Sequence, residues 1–169
     1  MKRAIIIGCS GAGKSTFARK LAEISHLPLY YLDMYWHKPD KTTVTREEFA
    51  EKLKELLQKD EWILDGNFAR TLEMRLQACD TVFLMDYPLE VCLNGVRGRI
   101  GTKREDMPWI EEEFDPDFQE WIEGFSQNVL PKMLALIEKY KAEKEVYIFK
   151  SRAEADEYLA RLKQATVLR

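Results

Sequence analysis

Eight consecutive residues, Gly8-Cys9-Ser10-Gly11-Ala12-Gly13-Lys14-Ser15, fit the spacing G-x-x-x-x-G-K-[ST] without a gap. The chemistry explains the spelling. Glycines let the backbone curl so that successive N–H groups face phosphate oxygens. A helix opening at Lys14 adds its unpaired N–H groups and its dipole to the same anion. Lys14 supplies positive charge at the β- and γ-phosphates, and the Ser15 hydroxyl is a ligand for Mg²⁺. Gly8, Ser10, Gly11, Ala12, Gly13, Lys14, Ser15 and Thr16 are therefore the expected binding set for ATP and Mg²⁺.

Three carboxylates extend this site. Asp33, Asp65 and Asp86 each follow directly on an apolar run, and in a parallel sheet all three share the edge that carries the loop. Turn chemistry explains any one of them, but three at one ligand-binding edge call for more. Trp62-Ile63-Leu64-Asp65 has the form of a strand ending in a carboxylate that holds Mg²⁺ through water, so Ser15 and Asp65 are the expected metal residues. Asp33 is placed to orient or deprotonate an acceptor hydroxyl. Asp86, followed by Tyr87-Pro88, reads as structural. Tyr35, Trp36 and His37 either stack on a ring-shaped acceptor or pack on the core. His37 has no second His and no Cys at metal-binding spacing.

Elements must position these groups. Short apolar runs over residues 3–7, 29–32, 61–64, 81–85 and 146–149 alternate with helical patterns, the signature of βαβ units and a parallel sheet. The first helix, over 14–24, puts Phe17, Leu21 and Ile24 on one face. Residues 34–44 read as a loop. Thr45-Arg46-Glu47-Glu48 is a capping box opening a helix with Phe49, Leu53, Leu56 and Leu57 inward. A short helix over 70–78 and another from 89 to about 98 follow. Residues 99–115 break the rhythm: they are charge-dense and lack an apolar period. Asp115-Pro116 starts a long helix, with Pro131 expected to kink it. Ser151-x-x-Glu154 caps a last helix.

The 169 residues allow one well-buried core, so residues 1–169 are expected to form a single domain with an insert at about 99–115. A net charge of −3 offers no global basic field, which argues against direct DNA binding. Three cysteines, an odd number with no C-x-x-C pair, fit a reducing cytoplasm better than a disulfide framework. The apolar run at residues 4–7 stops at Gly8, too short for a signal segment or a membrane span. The chain is expected to work as a monomer or a homodimer.

Together, the phosphate loop, the run Ile63-Leu64-Asp65-Gly66-Asn67-Phe68-Ala69-Arg70-Thr71 and the insert resemble adenylate kinase and related small-molecule kinases. In that family an Asp-Gly-Phe-Pro-Arg-Thr stretch carries an arginine for the acceptor's phosphate, which by motif match is Arg70. A wider likeness covers nearly the whole chain. Leu32-Asp33-x-x-Trp36, Trp62-Ile63-Leu64-Asp65-Gly66-Asn67, Arg104-x-Asp106-Met107, Phe118-x-x-Trp121-Ile122 and Lys150-Ser151-Arg152 are similar to the bacterial DNA-topology-modulation proteins, described as adenylate-kinase-like.

These resemblances imply a three-layer P-loop NTPase fold of the adenylate and shikimate kinase kind, with strand order 2-3-1-4-5 and the insert as a short lid. Arg97, Arg99, Lys103 and Arg104 are then candidates to close over a triphosphate. Lys14, Asp33, Arg99 and Arg104 form the expected catalytic set. Asp33, Tyr35, Trp36, Asp65, Gly66, Asn67 and Arg70 form the expected acceptor set, with Arg75 a further candidate for an acceptor phosphate. Trp109 and Trp121 are expected to pack. Two departures from adenylate kinase matter. No arginine follows strand two, which weakens the case for AMP. The adenine-stacking arginine falls on Gly95, leaving Arg152 as the base contact. The implied activity is transfer of the γ-phosphoryl group of ATP to a small acceptor, a nucleoside monophosphate or a hydroxyl metabolite. The alternatives are an ATP-binding regulator of DNA topology and a bare NTPase.

Overall fold

The computed structural model describes residues 1–167. Its center is a five-stranded parallel sheet: β1 (Arg3–Gly8), β2 (Leu29–Tyr31), β3 (Trp62–Asp65), β4 (Thr81–Met85) and β5 (Glu145–Phe149), in the spatial order β2-β3-β1-β4-β5. The implied order therefore holds. β1 lies mid-sheet, covered on both faces, which is why Ala4-Ile5-Ile6-Ile7 is a continuous apolar run and not an alternating one. Each fully buried isoleucine there contributes about 1.5–3 kcal/mol. Register sets the ligand edge. Ile6 pairs with Asp65, Gly8 with Met85 and Tyr31 with Asp65, so Gly8, Asp65 and the residues just after Tyr31 and Met85 gather at one end of the sheet.

Helices cover both faces. α1 (Lys14–Ser25) packs on α9 (Arg152–Val167), and Phe17 of α1 meets Phe83 at 5.1 Å and Phe149 at 5.6 Å between ring centroids. On the other side α3 (Arg46–Leu57) opens with the expected reciprocal capping box between Thr45 and Glu48. α4 (Ala69–Ala78) and α5 (Leu89–Arg97) follow β3 and β4. Cys9, Cys79 and Cys92 are buried free thiols. Among the described residues no helix is long and apolar enough to cross a membrane.

Three elements depart from the sequence expectation. The stretch after β2 is not all loop, because Leu32–Trp36 forms a short helix, α2, and an antiparallel bridge joins His37 to Thr43 beyond it. Next, the long helix beginning at Pro116 is divided into α6 (Pro116–Glu123), α7 (Phe125–Asn128) and α8 (Leu130–Tyr140). The breaks fall at Gly124, which is poor in helix interiors, and at Val129, two residues before Pro131. The proline thus sits at the start of α8, where its missing N–H costs nothing. β3 is also displaced by one residue, so that Asp65 belongs to the strand itself.

Arg75 is the largest correction inside the fold. It is fully buried and donates to the backbone carbonyls of Gly66, Asn67 and Phe68, so it fastens the turn after β3 and has no reach toward an acceptor. Burial pulls its pKa down, to about 10, still well above neutral. Arg75→Met is expected to destabilise the fold by about 3 kcal/mol, because three buried carbonyls lose a charged donor. Thermal unfolding measures this as a fall of roughly 6–12 °C for a chain of this size.

Candidate functional site

Gly8 leaves β1 at φ +138, and a Cβ there would lie 2.3 Å from the Met85 carbonyl oxygen. Gly11 has φ +81, with its Cβ position 1.9 Å from the carbonyl oxygen of Cys92 on α5. From the other side, a Cβ on Gly95 would come within 2.0 Å of the Gly11 oxygen. The loop and α5 therefore touch backbone to backbone. This explains why no arginine can occupy position 95. Gly95→Ala is expected to push the loop off α5 and weaken nucleotide affinity at least tenfold, by titration with a fluorescent ATP analogue; unchanged affinity would refute the close-packing argument.

Gly13 caps α1 in the left-handed conformation and has no side chain to satisfy the first N–H groups of the helix, which leaves them for an anion. Ala12 is buried beneath the loop, its N–H directed to the Cys9 carbonyl at 3.3 Å. Asn67 braces the loop from the turn after β3: its Oδ1 accepts from the Gly8 N–H at 3.0 Å. Lys14 Nζ donates to the Cys9 carbonyl at 3.0 Å.

Ser15 lies between two carboxylates. Its Oγ is 2.6 Å from Asp65 Oδ2 and 2.9 Å from Asp106 Oδ2. A hydroxyl has one proton to donate, so the second short approach requires a proton on a carboxyl or a cation nearby. Asp65 is 5 % exposed and its Oδ1 has no partner. Burial pushes its pKa up, partly opposed by Lys14 and the Ser15 hydroxyl. A hydroxyl, two carboxylates and an orphaned buried oxygen suit a hard divalent cation. Among the described residues no three His, Cys, Asp or Glu side chains could cage a metal by themselves, so such a cation completes its shell with water and phosphate.

The charged insert follows α5 without helix or strand and folds back over the loop. The Gly101 N–H donates to the Glu111 carbonyl at 2.7 Å. Arg99 Nε lies 2.9 Å from Glu111 Oε2, and Arg104 pairs with Glu111 at 3.3 Å and Asp106 at 3.7 Å. Both arginines are mostly buried, and burial together with the neighbouring Arg104 lowers the Arg99 pKa. Arg97 turns elsewhere, to Asn94 at 3.3 Å.

Two cavities open on this arrangement. The first, about 530 Å³, is lined by Gly11 to Phe17 of the loop and α1, by Tyr87, Gly95 and Lys103, and by Arg152 on α9. Thr16 and Arg152 both border it, with Arg152 Nη2 3.5 Å from the Gly11 carbonyl. Its lining holds seven lysines and arginines against three carboxylates. The second, about 570 Å³, is lined by Ser10, Asp33, Asp65, Gly66, Asn67, by His37, and by the far side of the insert. Lys14, Ser15, Arg99, Arg104 and Asp106 line both.

Asp33 is 39 % exposed toward the second cavity, with His37 Nε2 3.9 Å from its Oδ1. Desolvation, and then the Asp65 charge, raise the Asp33 pKa to about 6. Desolvation lowers that of His37, which is therefore neutral at pH 7.

Not every expected residue reaches these cavities. Tyr35 packs on Tyr30 and Trp36 edge-on to Phe49 at 5.4 Å, and neither lines the second cavity. Arg70 is exposed in the first turn of α4 and lies outside both linings. Asp86 pairs with Lys150. The insert and α6 bring other groups instead. Trp109 meets the His37 ring at 4.6 Å, Trp121 stacks on Phe118 at 6.0 Å, and both tryptophans line the second cavity, beyond the packing role expected of them. Asp106, 7 % exposed and beside Ser15, is given no role by the sequence although it stands in the Arg104-x-Asp106-Met107 stretch, because an aspartate in a charge-dense segment without period carries no local signal.

No protein-family model and no curated protein matches the chain. Solved structures do. The shikimate kinase from Acinetobacter baumannii in complex with shikimate superposes with a TM-score of 0.63 at 15 % identity, covering 99 % of this chain and 93 % of the other. The shikimate kinase from Bacteroides thetaiotaomicron gives 0.58 at 17 %, covering 97 % of each, and that from Aquifex aeolicus 0.55 at 17 %, covering 96 % and 94 %. The architecture is thus a shikimate-kinase-like P-loop fold. At these identities the likeness defines the fold alone.

Proposed function

We propose that this protein is a kinase that moves the γ-phosphoryl group of ATP to a small acceptor. The observation that carries the reading is the pair of cavities meeting at Lys14, Ser15, Arg99, Arg104 and Asp106. A nucleotide-binding module needs one such cavity, whereas group transfer needs two that share a wall. The first, rich in cations, takes the triphosphate over the phosphate loop, with Arg152 and Tyr87 near the base. The second takes the acceptor. One structural neighbour is a kinase in complex with the small hydroxyl compound shikimate, which is consistent with a small-molecule acceptor here.

The acceptor's oxygen forms a bond to the γ-phosphorus while the bond to the bridging oxygen of ADP breaks. Asp33 takes the hydroxyl proton, its pKa near 6 keeping it ionised yet basic at neutral pH. Lys14, Arg99 and Arg104 face charge that builds on the transferring oxygens. Ser15 and Asp65, with Asp106 beside them, would hold Mg²⁺, which when bound neutralises phosphate charge. Gly66 and Asn67 shape the floor of the acceptor cavity. Arg70 joins the site only if α4 or the lid moves.

The DNA-topology reading gains no support from this surface. Of the four basic residues in this segment, Arg99 and Arg104 are paired with Glu111 and Asp106, which leaves Arg97 and Lys103 as the exposed cations that could meet a duplex. The test of the kinase reading is ATP consumption with and without a panel of small hydroxyl compounds and nucleoside monophosphates. A closed lid excludes water, so hydrolysis alone is expected to be slow, with turnover rising at least a hundredfold with the right acceptor. Fast acceptor-free hydrolysis would point to the bare NTPase.

A further inference from the structure

The two cavities carry opposite charge. Seven cations against three carboxylates line the first, but only four cations against seven carboxylates line the second. Nor are the four free. Lys14 belongs to the phosphate loop, and Arg99 and Arg104 are held by Glu111 and Asp106, which leaves Asp33, Asp65, Glu112, Glu113 and Asp115 of the seven carboxylates. Lys41 alone remains, exposed on the turn that joins residues 38 and 42. Glu112 and Glu113 also line the cavity, exposed and without an ion-pair partner among the described residues.

The same walls carry Trp109, Phe114, Phe118 and Trp121. One of these rings already holds a cation, since the Arg99 guanidinium stands 5.8 Å from the center of Phe118. Carboxylates interleaved with aromatic faces attract organic cations by charge and by ring quadrupole together. An anionic acceptor would instead enter a negative cavity that already faces a triphosphate.

Resting on the kinase reading above, we propose that the acceptor is an alcohol bearing a positively charged amine, and that Glu112 and Glu113 with the aromatics of the lid and α6 select it. A phosphate-bearing or carboxylate-bearing acceptor is disfavored by the same charges. In the reaction the hydroxyl, not the amine, is phosphorylated, with its proton passing to Asp33 and ADP leaving.

The experiment measures kcat/KM with saturating ATP and Mg²⁺ for a set of amino alcohols and amino sugars. Each is paired with its deaminated analogue and its carboxylated analogue, and nucleoside monophosphates are included. The amine is expected to be preferred about tenfold within pairs, a preference that shrinks as salt is raised. The double variant Glu112→Gln/Glu113→Gln is expected to raise KM for the amines about tenfold with kcat little changed, and to leave KM for the neutral analogues unmoved. Both residues are exposed, so folding is not at issue, and a thermal melt verifies it. Preference for carboxylated or phosphorylated members, or no discrimination between amine and neutral analogue, would overturn the inference while leaving the kinase reading intact. ATP binding without phosphorylation of any member would overturn the kinase reading itself.

Discussion

Lys14→Ala is expected to lower kcat/KM for ATP by about 10³ while the melting temperature stays within a few degrees of the wild type. The size follows from position. Lys14 lines both cavities, so its charge faces the group in transit rather than only the bound nucleotide. A cation worth a few kcal/mol there acts in a partly desolvated site, where Coulomb energies exceed their values in water. Its one hydrogen bond in the fold goes to the Cys9 carbonyl, which water can replace, so the fold loses little. Steady-state kinetics with a thermal melt on the same preparation checks both halves. Wild-type turnover in the variant would remove the phosphate loop from the chemistry.

Asp33→Asn carries the second large effect, a loss of about 10²–10⁴ in turnover with a hydroxyl acceptor. The wild type should gain activity as pH rises through about 6, the pKa at which Asp33 ionises, and the variant should lose that limb. Stability should move the other way. The folded pKa of about 6 lies above the ordinary 3.8, so the folded state binds this proton more tightly. The resulting stability is fully present below about pH 3.8 and is lost as pH rises through about 6. At pH 7 the ionised carboxylate therefore costs the ligand-free protein free energy. With the side chain 39 % exposed to water, that cost is discounted to about 1 kcal/mol. The Asp33→Asn variant is thus expected to unfold about 2–4 °C higher in the absence of nucleotide and magnesium. An inactive variant that is also less stable would mean that Asp33 supports the fold instead of the reaction.

Much of this was legible in the sequence because the decisive signals are local. The phosphate loop is contiguous, β1 is an unbroken apolar run, and Asp65 is the last residue of its strand, so register alone carries it to the ligand edge. What was illegible depends on contacts distant in sequence. Asp106 reaches Ser15 across 91 positions, and only the folded lid makes it part of the site. The choice between arginines on α4 was hidden for a related reason. Arg70 matches a family motif but stands exposed, whereas Arg75, five residues on, faces inward and is consumed by backbone carbonyls. The two readings left open for Tyr35 and Trp36 divide on the same kind of contact. Trp36 is taken up by Phe49 and Phe68, while Trp109, with no periodic context, meets His37 over the cavity. The five-residue helix α2 is too short for any hydrophobic period to register.

The central claim is transfer between two adjoining cavities, and the fate of the γ-phosphoryl group tests it most directly. Phosphorus NMR of ATP and Mg²⁺ incubated with the protein and the whole acceptor panel (amine-bearing alcohols, their neutral and carboxylated analogues and nucleoside monophosphates) should show ADP together with a newly phosphorylated acceptor in equal amount, and neither with Lys14→Ala. ADP accompanied only by inorganic phosphate would contradict the account, because water, and no acceptor in the second cavity, would then be receiving the group.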